Sequence, residues 1–454
     1  MNIASIVARQ RSFFESGATR SLAFRMDALK KLQRAIRENE PLINAAMRAD
    51  LNKSPFETYM TETGMVLDEL RFHLKHLPRW AKSKPVKTPI TQFRGKSFVS
   101  PEPYGIVLVM SPWNYPVQLC LEPVVGAISA GNCIVIKPSA YAKATSHAIA
   151  KIIGDTFPQE YIAVVEGGRE ENKTLLEEAF DYIFFTGSVE IGKTVMAAAA
   201  KHLTPVTLEL GGKSPAIVDE TADIPLAAKR IAFGKVLNAG QTCVEPDYLM
   251  IHESVKDRFI AEFQKALNEF FPNGDYSEMP VIISEKHFAR VMGLIKGEHV
   301  VIGGGSEAAR RFVEPTVLVD VTPDSPIMQE EIFGPILPVM TYKEIGTCIS
   351  FIRSRPRPLA LYLFTQNNST EKRVLDSCSF GGGCINDTII HLANLRLGFG
   401  GVGHSGMGSY HGKLSFDTFT HYRSIVKKST WIDLPMRYHP YREKNFKMIR
   451  MLMK

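Results

Sequence analysis

The feature that most limits the folds open to this chain is an alternation of short β-branched runs with helix-patterned stretches, beginning at residue 105. Residues 105–110 (GIVLVM) form an apolar run, and residues 117–130 follow with helical spacing. Cys133–Lys137 (CIVIK) is a second run, ahead of a helix ending near Phe157. Residues 162–166 precede another helix, and residues 182–185 (YIFF) end in Thr186-Gly187-Ser188 before one more. Short strands separated by helices read as βαβ units in a parallel sheet covered on both faces. A second βα region runs from Pro215 to about Ile390, with strand candidates at 248–251, 361–364 and 384–386. Residues 17–81 carry Leu22, Met26, Leu29 and Leu32 at helical intervals. Residues 82–103 read as an extended excursion or crossing strand, and residues 398–412 as a glycine-dense loop.

Charge narrows the class of partner. The chain of 454 residues has 54 Lys and Arg against 47 Asp and Glu, a net +7. From His421 onward there are nine basic residues and only Asp433 and Glu443, so the excess sits in the tail and the body is neutral. A nucleic-acid reader needs a basic face on its fold, and none is expected here. The six cysteines are scattered without a C-x-x-C, which reads as free thiols in a reducing compartment. Arg9, Arg11 and Glu15 stand where a signal peptide needs an apolar core, and no run approaches the roughly 18–20 apolar residues of a membrane span. A cytoplasmic location is expected.

Several loops carry chemistry. Residues 187–194 (GSVEIGKT) match the phosphate-loop pattern between a strand and a helix. The carboxylate available for magnesium would be Asp219, after a short run that begins at Pro215. A dinucleotide pyrophosphate at the same helix start is the better reading. Glu209 lies two residues before Gly211-Gly212 within E-L-G-G-K-S-P, where the backbone can turn sharply or approach a ligand. Cys243 lies in the polar loop G-Q-T-C, unlike Cys120 and Cys133 in their apolar runs, and a reachable thiolate is a nucleophile. Asn114, in P-W-N-Y-P, follows the first strand of the alternation, and its amide suits a developing oxyanion. Glu331 and Phe333 flank a Gly-Pro turn in E-I-F-G-P.

These motifs, with I-K-P-S around Lys137, F-T-G-S-x-x-x-G at 185–192 and G-F-G-G-V-G-H-S-G-M-G from Gly398, occur in one order. The set strongly resembles the NAD(P)-dependent aldehyde dehydrogenase superfamily. The compact N-terminus and the closing residues 405–421 resemble its class 3 branch. The resemblance implies an α/β fold: a Rossmann-like cofactor domain (1–81 and 105–210), an α/β catalytic domain (211–399), and a small bridging β-element (82–104 and 400–424) used in oligomerisation. A basic tail would occupy 425–454. It further implies that Cys243 attacks an aldehyde, that Asn114 and the Cys243 backbone N–H stabilise the oxyanion, and that Glu209 activates water against the thioester. NAD or NADP would take the hydride. By the same resemblance Lys137 meets the adenosine ribose, Gly187, Ser188 and Gly192 lie by the phosphates, Glu331 holds the nicotinamide ribose, and Phe333 packs nearby. No metal is implied, and a homodimer is.

Two departures from the family pattern stand out. Many relatives carry a Glu after K-P-S that binds the adenosine ribose, whereas here Ala140 follows. A carboxylate there would repel a 2′-phosphate, so its absence predicts that NADP is accepted. Glu245, two residues beyond Cys243, would raise the thiol pKa if it pointed inward; it is expected to point away. Trp113, Tyr115, Met110, Met65 and residues 389–392 are candidates for an apolar funnel suited to medium-chain aliphatic or aromatic aldehydes. The tail 442–454 (REKNFKMIRMLMK) is a candidate for weak membrane-surface contact as an amphipathic helix, with packing on a dimer partner as the competing role. The alternatives are a CoA-acylating enzyme or a catalytically silent binding protein on the same fold. Glu209 argues for water as the acyl acceptor, and Cys243, Asn114 and Glu209 together argue against silence.

Overall fold

The computed structural model describes residues 2–453. Its first sheet has six strands in the order Gly406–Met407, Val206–Leu210, Tyr182–Gly187, Ile106–Met110, Cys133–Lys137, Ile162–Val164. All neighbours run parallel except the antiparallel pairing of Gly406–Met407 with Val206–Leu210. The chain lays the parallel strands outward from Ile106–Met110 in one direction, then returns to the other side of it with Tyr182–Gly187. That reversal creates a crevice at the carboxyl ends of two adjacent strands, where sheets of this kind bind ligands. Asn114 follows one of these strands, and Gly187 ends the other.

The residues explain the layers. Every side chain of Ile106–Met110 and of Cys133–Lys137 is buried, as a strand covered on both faces demands. The helix Gln118–Ala130 is buried all round, and its apolar composition matches that position. It stops at Gly131, whose φ of 97° and nearness to the Thr19 carbonyl suit only glycine. By contrast Leu22–Glu38 buries one stripe (Ala28, Leu29, Leu32, Ala35, Ile36) and is capped by Ser21, which accepts from Phe24 N–H.

The second sheet has seven strands in the order His299–Ile302, Thr316–Val319, Ile336–Tyr342, Tyr248–His252, Pro215–Val218, Ala360–Phe364, Gly382–Ile385. Only the first is antiparallel to its neighbour. A separate antiparallel sheet joins Lys84–Val86, Gly95–Pro103 and Thr420–Lys428. The excursion at 82–103 is therefore a strand pair, and its partner strand continues to Lys428, beyond residue 424, because Lys427 and Lys428 pair with Lys96 and Gly95. Residues 400–424 are also divided: Gly406–Met407 belong to the six-stranded sheet, where the glycine-dense loop doubles back against Glu209. The tail ends in the helix Glu443–Leu452.

Candidate active site

A cavity of about 480 Å³ opens at the crevice of the six-stranded sheet and is walled on its far side by loops of the seven-stranded one. Asn114, Gly187, Ser188, Glu209, Cys243, Glu331 and Phe333 all line it. A second, apolar cavity of about 160 Å³ reaches Cys243 from the other side, between Met65, Tyr115, Leu119, Phe233, Ile389 and Leu392. The thiol thus stands where two cavities meet, partly exposed, while Cys120 and Cys133 are core residues.

Each polar group has a distinct physical state. Glu209 ends a buried strand, is 2% exposed, and neither carboxyl oxygen has a hydrogen-bond partner. Burial alone therefore pushes its pKa well above the ordinary carboxylate range. Burial also raises the Cys243 thiol, helped by the carboxylates of Glu331 and Glu209 and opposed by backbone N–H groups at 243 and 244. Asn114 donates through Nδ2 to the Gln241 carbonyl at 3.0 Å, which ties its amide to the loop that carries the thiol. Glu245 points away from both cavities: it is buried and paired with Lys235 at 2.9 Å.

The cofactor candidates divide. Gly187 and Ser188 face the cavity at the start of the helix Val189–Ala200, whose free N–H groups suit a phosphate. Gly192 lies one turn on and does not line the cavity; a Cβ there would stand 2.6 Å from Leu210, so this glycine lets helix and strand close up. Lys193 pairs with Glu190 at the surface, and Asp219 is engaged by Thr221 and Thr365, so the phosphate-loop reading of 187–194 has neither its lysine nor its metal carboxylate in place. Lys137 donates to the carbonyls of Pro138 and Gly167 at 2.8 and 2.7 Å, outside the main cavity. Glu331 has a buried oxygen without a partner, and burial, with Asp247 nearby, lifts its pKa to about 8. Phe333 holds a φ of 50° and meets Trp113 edge-on at 5.3 Å. A nucleotide fits this lining: an orphaned carboxylate for hydroxyls, a helix start for phosphate, and flat aromatic walls.

Two of the funnel candidates lie elsewhere. Met110 is core, because it occupies a strand buried on both faces, and Trp113 faces the main cavity against Phe333 and His287. Tyr115, Met65, Ile389, Ile390 and Leu392 do line the apolar cavity, but His391 does not; its ring packs by Cys384. Sequence reasoning missed Phe399 and Tyr410, which line both cavities, and Arg290 and His287, which line the larger. Arg290 braces the Glu331 loop through the Glu331 and Ile332 carbonyls at 3.2 and 2.6 Å. It sits on an ordinary amphipathic helix, and nothing in its spacing marks it.

A doubly wound sheet with a nucleotide-shaped crevice, faced by a second α/β layer that brings a thiol to it, defines a nicotinamide-dependent dehydrogenase. The comparisons with known proteins make this specific: the model described as "Aldehyde dehydrogenase family" matches residues 1–425, and the chain belongs to that family. It is 49% identical over 451 residues to the 4,4'-diaponeurosporen-aldehyde dehydrogenase of Staphylococcus aureus, covering 98% of this chain and 97% of that one. It is 46% identical over 434 residues to the rat "Aldehyde dehydrogenase, dimeric NADP-preferring", covering 94% and 95%. A solved substrate-bound state of Staphylococcus aureus AldH superposes with a TM-score of 0.98 at 48% identity over 100% of both chains. The protein is an NAD(P)-dependent aldehyde dehydrogenase of the class 3-like branch; neither the CoA-acylating nor the silent alternative is favoured.

Burial of Glu209 has a consequence for stability. A carboxyl whose folded pKa is raised favours the native state fully below its unfolded pKa and loses that contribution as pH rises through the folded one. Glu209→Gln, neutral at every pH, is expected to melt at a higher temperature than the parent in alkaline buffer, with the difference vanishing near pH 4. Thermal unfolding across pH checks this; an equal difference at all pH values would contradict it.

Proposed function

We propose that Cys243 is the nucleophile, Asn114 the oxyanion donor and Glu209 the water-activating base of aldehyde oxidation in this chain. The observation that carries this reading is the lining of one cavity by all three, at the meeting point with an apolar cavity. The Cys243 thiol gives its proton to Glu209, which passes it to solvent; the sulfur adds to the aldehyde carbon, and the oxyanion accepts from the Asn114 amide and the Cys243 backbone N–H. When bound, the nicotinamide supplies the hydride acceptor. Loss of hydride from the tetrahedral adduct leaves a thioester on Cys243, and Glu209, ionised, takes a proton from the water that hydrolyses it to the acid. Burial of Glu209 makes it a stronger base than a solvated carboxylate. Cys243→Ser is expected to lose hexanal-dependent NADH formation by at least about 10³-fold while still folding; retention of turnover would overturn the assignment.

In the same reading Glu331 holds the nicotinamide ribose, Phe333 and Trp113 its flat wall, Gly187 and Ser188 the phosphates, with Gly192 closing helix on strand and Lys137 at the adenosine ribose. The cofactor domain comprises 1–81 and 105–210 with the returning strand Gly406–Met407, the catalytic domain 211–399, and the bridge 82–104 with Thr420–Lys428. Ala140 carries no charge against a 2′-phosphate, and the rat and dog relatives are named NADP-preferring. Both cofactors should therefore support turnover, and Ala140→Glu should cut kcat/KM for NADP at least about tenfold while sparing NAD. A parental NAD preference above about 10³-fold, roughly 4 kcal/mol, would reject this.

The substrate is an apolar aldehyde, medium-chain aliphatic or aromatic, because the cavity beyond the thiol is walled by Met65, Leu119, Phe233, Ile389 and Leu392. The enzyme works as a homodimer in the cytoplasm. Relatives of this length are named dimeric, and Gly382–Ile385 leaves the seven-stranded sheet with an edge to be covered. No helix among the described residues is long and apolar enough to cross a membrane. The tail helix nonetheless exposes Phe446 and Met451 beside Lys444, Lys447 and Arg450, a pattern suited to weak contact with an anionic lipid surface. The full chain is expected to float with phosphatidylglycerol vesicles and Phe446→Glu to sediment; flotation of neither assigns the helix to protein packing.

A further inference from the structure

The loop that carries the thiol is held in a conformation that its residues do not favour. Asn238, Ala239 and Gly240 all have positive φ (51°, 52° and 70°), and only the last is glycine. Two consecutive side-chain-bearing residues in the left-handed region persist only where neighbours over-determine them. At Asn238 the neighbours are explicit. Its peptide N–H is accepted by Glu57 Oε1 at 2.8 Å, from a helical segment far away in sequence. Its side-chain Nδ2 donates to the Asn114 carbonyl at 2.8 Å and to the Gln241 carbonyl at 3.1 Å. Its own carbonyl accepts from Gln241 N–H and Gln241 Nε2, at 3.1 and 3.0 Å.

The Gln241 carbonyl is the centre of this arrangement. It accepts from the Asn114 side chain at 3.0 Å and from the Asn238 side chain at 3.1 Å. Asn238 therefore grips Asn114 twice: directly by its backbone carbonyl, and indirectly through the acceptor that aims its amide. The side chain of Gln241 is itself locked by the Val281 carbonyl and Ile283 N–H, so the shared acceptor cannot drift. Asn238 and Gln241 are fully buried, out of reach of bulk solvent. Glu57 does not act alone on its side either: Glu62, paired with Lys53 at 2.8 Å, accepts from Val117 and Gln118 N–H at 2.9 Å each, just beyond Asn114.

We infer that Asn238 is a positioning residue for the oxidation, holding the Asn114 amide in register with the thiol so that the oxyanion is caught as it forms. This rests on the assignment of Asn114 as oxyanion donor. The mechanism is geometric: the donor must lie within about 0.5 Å of its productive place to act, and the loop of Asn114 is hydrogen-bonded to the thiol loop through the Gln241 and Asn114 carbonyls and the Tyr115–Thr242 hydroxyl contact at 2.6 Å. Asn238 does not touch either cavity and so contributes no substrate contact.

The test compares Asn238→Gly with Asn114→Ala and with the double variant, because glycine keeps the left-handed backbone and removes only the amide. Asn238→Ala also removes the amide and adds no charge, and it stands in if the glycine variant is unstable. Single-turnover NADH formation from hexanal is expected to slow about 10- to 100-fold in either Asn238 variant and about 10²–10³-fold in Asn114→Ala. The double variant should be no slower than Asn114→Ala alone, since a residue that acts through another loses its effect when the other is gone. Alkylation of Cys243 by iodoacetamide, which forms no oxyanion, should stay within about threefold of the parent throughout. Single-turnover rates for the Asn238 variants within threefold of the parent would overturn the inference, as would effects that multiply in the double variant. Alkylation slowed as much as oxidation would overturn it too, since the whole thiol loop would then have collapsed. An unchanged rate in Asn114→Ala would instead refute the donor assignment itself, whatever Asn238 does.

Discussion

The arrangement of this enzyme depends on keeping an uncompensated carboxyl in a dry place. Glu209 has no hydrogen-bond partner on either oxygen, and no cation is set against it. Such a group is costly to ionise, and a fold meant only for stability would bury hydrocarbon there. The rest of the site is built around that cost. The strand Val206–Leu210 holds Glu209 from one side, and the glycine-dense loop returns over it so closely that a Cβ at Gly400 would lie 3.2 Å from its Oε1. Gly406–Met407 pair back onto the same strand. Gly400 passes where a side chain would crowd the carboxyl, and side chains at Gly406 and Gly408 would collide with Leu208 and Thr207 of the same strand.

The thiol shares this logic and is tied to it electrostatically. Glu209 and Glu331 both raise the Cys243 pKa, so ionising any one of the three discourages the others. The sulfur stands where an apolar cavity meets the larger cleft, and in the proposed mechanism that is where an uncharged aldehyde and a charged cofactor would meet. Two of the buried carboxyl groups near the thiol loop have a lysine partner: Glu245 with Lys235, and Glu62 with Lys53. These buried pairs hold the loop without lending net charge to it.

Much of this was legible in the residues, for a physical reason. Groups that must approach a ligand with their backbone need glycine or proline beside them, and those leave marks: the glycines after Glu209, the prolines around Asn114, the glycine before Gln241 and Cys243. The alternation of strand and helix likewise announced a parallel sheet. What stayed hidden depends on side-chain direction and on contacts distant in sequence. Met110 and Trp113 were both near the right loop, but one points into the sheet layers and the other toward Phe333. Arg290 and His287 lie on a helix whose pattern is that of any surface helix. The pairing of Gly406–Met407 with the cofactor sheet, and the grip of Glu57 on Asn238 across 181 positions, follow only once the chain is folded.

In the proposed mechanism sulfur and carboxyl act in succession on one acyl group. This succession is tested most directly by intact-mass analysis of Glu209→Gln after mixing with NAD and hexanal. The expected result is one equivalent of NADH per chain and a mass increase of one hexanoyl group, located on Cys243 by peptide mapping and absent when Cys243 is also replaced. Continuous NADH production at the parental rate, with no acyl group retained on the protein, would contradict it.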